Sequence, residues 1–200
     1  MPDPDPALPS PPRRAGNFEA RETAISGPLL VSARRFADSR GFFAETYSRR
    51  DFATLGIGEE FVQDNHSLSA EAGVLRGLHF QLPPAAQAKL VRVLRGRIRD
   101  VVVDLRHGSP TFGRHLLLEL SAEDGMQLYV PVGFAHGFLT LEPGTEVAYK
   151  VSAPYAPECD RGLAWDDPAL GIAWGIAPEA VILSEKDRRH PRLAELGRVF

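Results

Sequence analysis

A chain of 200 residues with 23 Lys and Arg against 26 Asp and Glu, a net charge of -3 and 44% hydrophobic residues holds enough apolar material for one buried core and is short for two. That charge balance excludes the broad basic surface of a nucleic-acid or anionic-membrane binder, so an anionic ligand has to be caught by a local cluster. A single cysteine, Cys159, cannot close an internal disulfide, no zinc-ligand quartet is present, no apolar run approaches the ~20 residues of a membrane span, and no signal-peptide layout opens the chain; a cytoplasmic location is expected.

Residues 1–17 carry six prolines in the first twelve positions and are expected to form a disordered tail, because they cannot bury enough apolar surface to offset ordering entropy. Residues 18–200 read as a single domain. From Ala24, short apolar pieces alternate with turns: 29–31, then 34–47 interrupted by Asp38-Ser39-Arg40-Gly41. Ser48 can cap a helix of about two turns through Phe52 and Leu55, stopped by Gly56. Strand-sized segments follow at 61–68, 74–82, 87–94, 98–105, 115–120, 127–130, 136–141 and 145–151. This spacing predicts a mainly β protein, a double-sheet sandwich or barrel with short peripheral helices, and not alternating βαβ units. Beyond Val151 the chain is irregular until Ser184 opens a short polar, helix-like segment.

The stretch 74–93 places Arg76, His79 and Lys89 among Leu75, Leu78, Phe80, Leu90, Val91 and Val93, where charged groups are costly unless paired or used. In a regular strand Arg76 and His79 point to opposite faces. A bulge at Gly77 would bring both to one cavity. Lys89 shares a face with Val91 and Val93, Gln63 with Asn65, and Tyr149 with Val147 and Val151. Each also has a structural reading: a satisfied core histidine, a snorkelling lysine, a packed tyrosine.

A double-sheet barrel of this size suggests the cupin jelly roll, whose members often hold a metal through two motifs. The second motif is present, as Gly125 followed by Pro131-Val-Gly133-Phe-Ala-His136. The first, His-x-His followed by Glu, is not: His79-Phe80-Gln81 stands there and no Glu occurs from 72 to 118. With Lys89 near the expected ligand region, a metal-free, cofactor-free site is expected.

The runs Arg40-Gly-Phe-Phe-Ala-Glu45, Gln63-Asp-Asn65-His-Ser, Leu75-Arg-Gly-Leu-His-Phe-Gln81, Ala88-Lys-Leu-Val-Arg92, Gly108-Ser-Pro-Thr-Phe-Gly113, Pro131-Val-Gly-Phe-Ala-His-Gly-Phe138, Tyr149-Lys150 and Leu183-Ser-Glu-Lys-Asp187 resemble the dTDP-4-dehydrorhamnose 3,5-epimerase family, in register from about Ile25 to Leu193. The resemblance implies a cupin-like, metal-free homodimer that inverts C3 and C5 of a dTDP-4-keto-6-deoxyglucose ring through an enolate at C4. It implies His79 as base, Tyr149 as the acid on the opposite face, Lys89 beside the C4 oxygen and Asp187 orienting the histidine. By the same resemblance Arg76 and Lys186 meet the diphosphate, Gln63 and Asn65 the nucleotide, Tyr155 stacks on thymine, and Asp160 and His136 touch substrate. Arg40 and Glu45 would reach the partner's site. Asp167 is a further functional carboxylate or, on turn chemistry, a cap.

Alternatives are a single-carbon (C3 or C5) epimerase of a deoxysugar pathway, a non-catalytic sugar-binding cupin and a metal-dependent cupin oxygenase. If His79 is the base, the rate falls as it protonates at mildly acidic pH.

Overall fold

The structure is a computed structural model that describes residues 11–200. Its strands are β1 (Arg13–Ala15), β2 (Phe18–Glu22), β3 (Leu29–Ala33), β4 (Arg35–Asp38), β5 (Gly41–Ala44), β6 (Gln63–Ser69), β7 (Leu75–Gln81), β8 (Lys89–Arg95), β9 (Arg97–Asp104), β10 (His115–Ser121), β11 (Met126–Val130), β12 (Phe134–Thr140), β13 (Thr145–Val151) and β14 (Asp160–Gly162). The eight segments expected between 61 and 151 are all present as β6 to β13. A seven-stranded sheet runs β1-β2-β3-β11-β8-β13-β6, a five-stranded sheet runs β10-β9-β12-β7-β14, and β4 and β5 form a separate hairpin. Neighbouring strands pair antiparallel, giving a cupin-like jelly roll of two facing sheets not joined into a closed barrel.

Alternation on β8 and β11 sets the layers. Val91, Val93, Leu128 and Val130 point between the sheets and meet Ile98, Val102, Phe134 and Phe138 of the five-stranded sheet. Leu90 and Tyr129 point outward against Phe52, Leu55 and Ile57. The five-stranded sheet is covered on its other face by the segment after Val151, where Leu163, Leu170, Trp174 and Val181 pack on Leu75, Leu78, Val101 and Val103. Burial on both sides explains why all of β12 is buried and why its sequence does not alternate.

Helix α1 (Arg49–Thr54) begins at Ser48 as expected, with the Ser48 side chain accepting from the Asp51 N–H. The expected tail is corrected at its C-terminal end: β1 lies within residues 1–17 and pairs with β2, while residues 1–10 lie outside the described residues. The sequence concealed this hairpin because only Phe18 and Ala20 on β2 are buried and the rest is mostly charged.

The bulge expected at Gly77 is present. His136 of β12 pairs with His79 and Phe138 pairs with Arg76, so two steps on β12 match three on β7. Gly77 has φ +132°, and a Cβ there would lie 2.5 Å from Gly137 Cα. Only glycine permits the two backbones to approach so closely. No helix among the described residues is long and apolar enough to cross a membrane.

Candidate active site

The bulge puts Arg76 and His79 of the five-stranded sheet into one cavity of about 250 Å³ with Ser67, Lys89, Tyr149 and Asp187. A second cavity of about 400 Å³ shares His79, Lys89, Tyr149 and Lys186 with the first and extends to Gln63, Asn65, Tyr155 and Asp160. His79 and Tyr149 enter from opposite sheets, β7 and β13.

His79 Nε2 lies 2.6 Å from Asp187 Oδ1, and Asp187 is brought there by a short 3₁₀ turn, Asp187–Arg189, whose first N–H donates to Ser184 Oγ at 3.1 Å. The other nitrogen of His79, Nδ1, makes no hydrogen bond among the described residues. Burial pushes the His79 imidazole below its ordinary value; Asp187 pulls the other way, and Lys89 and His190 reinforce the lowering. Burial would raise the Asp187 carboxyl, but hydrogen bonds from His190 and His79 outweigh it and hold it well below the usual carboxylate range.

Lys89 opens β8 on the inward face and is 8% exposed. Its ammonium donates to the His79 carbonyl oxygen at 3.1 Å. Burial pushes its pKa down to about 8, opposed by the charges of Asp160 and Asp100. Tyr149 is pushed up by burial, with Arg76 lowering and Asp160 raising it, so the phenol keeps its proton through the neutral range. Opposite His79 on β12, His136 Nε2 sits 3.0 Å from each oxygen of the fully buried Asp100.

At the outer end of the cavity, Asp160 accepts from Tyr155 Oη at 2.9 Å and from the Lys186 ammonium. Gln63 Oε1 accepts from the Tyr155 N–H at 3.1 Å, and Gln63 Nε2 donates to Asn65 Oδ1 at 2.8 Å. Tyr155 is 56% exposed, its ring open to a stacking partner. Eleven of the thirteen expected site residues therefore line one continuous space. Arg40 and Glu45 do not: Arg40 pairs with Asp38 at the tip of the β4–β5 hairpin, and Glu45 accepts from Asn17 Nδ2 at 3.2 Å. Asp167 is a cap, accepting from the N–H groups of Ala169 and Leu193 at 2.9 and 2.8 Å.

Ser67, Asp100, Phe138 and His190 are site or supporting residues that the sequence reading missed. Asp100 and His190 could have been suspected only as buried partners of histidines, which requires the tertiary contacts. His79, Asp187 and His190 form the single trio among the described residues whose donor atoms lie close enough to share an ion. Their ring nitrogens are already turned onto the Asp187 oxygen, with the Lys89 cation adjacent, which suits proton handling and opposes a divalent ion.

A jelly roll with an acid–base interior and cations at one end of its cavity has the groups of an enzyme that moves protons on an anionic substrate. Residues 22–195 match the family model of dTDP-4-dehydrorhamnose 3,5-epimerase. The dTDP-4-dehydrorhamnose 3,5-epimerase of Sinorhizobium fredii is 54% identical over 173 residues, 86% of this chain and 88% of that relative. The crystal structure of the Bacillus anthracis enzyme of that name, with TDP and PPi bound, has a TM-score of 0.85 and 49% identity, covering 88% of this chain and 99% of that one. That of the Legionella pneumophila dTDP-6-deoxy-D-glucose-3,5-epimerase, in complex with dTDP-4-keto-L-rhamnose, has a TM-score of 0.85 and 41% identity, covering 90% and 94%. The chain belongs to the dTDP-4-dehydrorhamnose 3,5-epimerase family.

Proposed function

We propose that the chain converts dTDP-4-dehydro-6-deoxy-D-glucose into dTDP-4-dehydro-L-rhamnose by two proton exchanges, at C3 and C5. Both carbons flank the C4 ketone, so loss of either proton gives an enolate whose charge rests on the C4 oxygen. His79 takes the proton on Nδ1, the nitrogen left free by Asp187. Lys89 places a preorganised cation at the C4 oxygen. Tyr149 returns a proton to the other face of the carbon, the ketone re-forms, and solvent restores both groups. The observation that carries this reading is the placement of His79 and Tyr149 on opposite sheets of one cavity, with the buried Lys89 lining it as well.

Arg76 and Lys186 hold the diphosphate, guanidinium offering two parallel donors to phosphate oxygens. Gln63 and Asn65 contact the nucleotide, Tyr155 stacks on thymine, and Asp160 and His136 complete the substrate contacts. No metal or other cofactor takes part in these steps. The working form is a cytoplasmic homodimer in which Arg40 and Glu45 reach the partner's cavity; the support is a hairpin with Phe42 61% and Phe43 69% exposed beside these two residues.

Incubation with the 4-keto substrate in D₂O tests the reading, with deuterium expected at both C3 and C5. Deuterium at one carbon alone would establish a single-carbon epimerase instead. A metal content near one per chain in elemental analysis would count against the metal-free mechanism.

A further inference from the structure

His190 lines neither central cavity, yet it is bound to the same oxygen as His79. Its Nε2 lies 3.3 Å from Asp187 Oδ1, against 2.6 Å for His79, and the two imidazoles meet edge to face with centroids 5.4 Å apart. The His190 side chain is 8% exposed. Its slot is built into the sheet: Gly162 of β14 pairs directly with His79 of β7, and a Cβ at Gly162 would collide with the His190 ring. The next residue is pinned as well, the Pro191 carbonyl accepting from the Ala164 N–H at 2.8 Å.

We propose that His190 is a positioning residue, holding Asp187 from behind and sharing its accepting oxygen, so that His79 stays aligned and remains neutral at mildly acidic pH. An oxygen divided between two donors is a weaker acceptor for each, and a second imidazole close by disfavours charge on the first. Other groups face His79: Lys89 from β8, His136 above Asp100 from β12, Tyr149 from β13, and Arg76 and Lys186 at the cavity wall. Around His190 lie Asp160, Arg161, Glu185, Lys186 and Arg189. All of these residues are kept when His190 alone is changed, so a difference among the His190 variants is read against an otherwise identical set of charges. The inference rests on His79 being the base.

Three variants test it. His190→Leu fills the slot without a donor, His190→Gln carries a donor to about the reach of Nε2, and Gly162→Ala displaces the ring without removing it. The measurements are an NMR titration of the His79 ring in the ligand-free protein and the pH profile of kcat/KM. In His190→Leu and Gly162→Ala the His79 midpoint is expected to rise and the acid limb to move up with it. kcat should fall about tenfold while KM stays within about twofold, since His190 is outside the cavity lining. His190→Gln should restore both. A folded His190→Leu protein whose His79 titration does not move overturns the proposal, as does a fall in kcat that glutamine does not rescue. A titration that moves while the acid limb stays put supports the coupling through Asp187 and overturns His79 as the base.

Discussion

In the proposed mechanism, Lys89 and His79 bound the working pH range from opposite sides. The imidazole, lowered by burial, protonates below its ordinary 6.5, and protonation removes the base. The lysine loses its charge near pH 8, and with it the partner of the enolate oxygen. The kcat/KM profile is therefore expected to be bell-shaped, with an acid limb centred below 6.5 and an alkaline limb near 8. In Lys89→Met the alkaline limb should vanish and kcat fall about 10²–10³-fold, the usual loss of one oxyanion partner. The same change should stabilise the fold. A pKa lowered on folding means that the charged form opposes folding, and a drop from 10.5 to about 8 corresponds to about 3 kcal/mol at neutral pH. Thermal denaturation at pH 7 checks the sign: a lower Tm for Lys89→Met would contradict the assignment of a strained, buried cation.

At the scale of the strand, the Gly77 bulge decides whether a site exists. Without it Arg76 and His79 fall on opposite faces of β7, and the proposed phosphate contact and the proposed base cannot serve one ligand. Gly77→Ala meets both the positive φ and the 2.5 Å approach to Gly137 Cα. It should cost about 3 kcal/mol or more and lower activity beyond what the loss of stability explains. Urea denaturation together with the activity of the remaining folded protein measures both effects. A stable Gly77→Ala enzyme of normal activity would show that the bulge does not position His79.

At the scale of the whole molecule, the β4–β5 hairpin stands apart from both main sheets and leaves Phe36, Phe42 and Phe43 exposed. Exposed aromatic clusters of this kind mark association surfaces. Replacing Phe42 and Phe43 together by Asp is expected to give monomers in analytical ultracentrifugation. Activity should fall with it, because Arg40 and Glu45 on the same hairpin would no longer reach a second cavity. A dimer that persists in this variant, or a fully active monomer, would place the partner surface elsewhere.

Much of this protein was determined by its sequence alone. Strand-sized apolar segments with turn signals between them specified the sheets, Ser48 specified the start of α1, and the unlikely company of Arg76, His79 and Lys89 marked the cavity. Two things were decided only by tertiary structure. The β1–β2 hairpin forms because β3 offers an edge to pair with, which overrides a composition that reads as unstructured. The Asp187–His79 pairing was legible only through the family resemblance, and the addition of His190 to the same Asp187 oxygen depends on the segment after Val151 folding back over the five-stranded sheet. No local pattern encodes that return, because it is driven by burial of Leu163, Leu170 and Trp174 on a face the strands alone leave open.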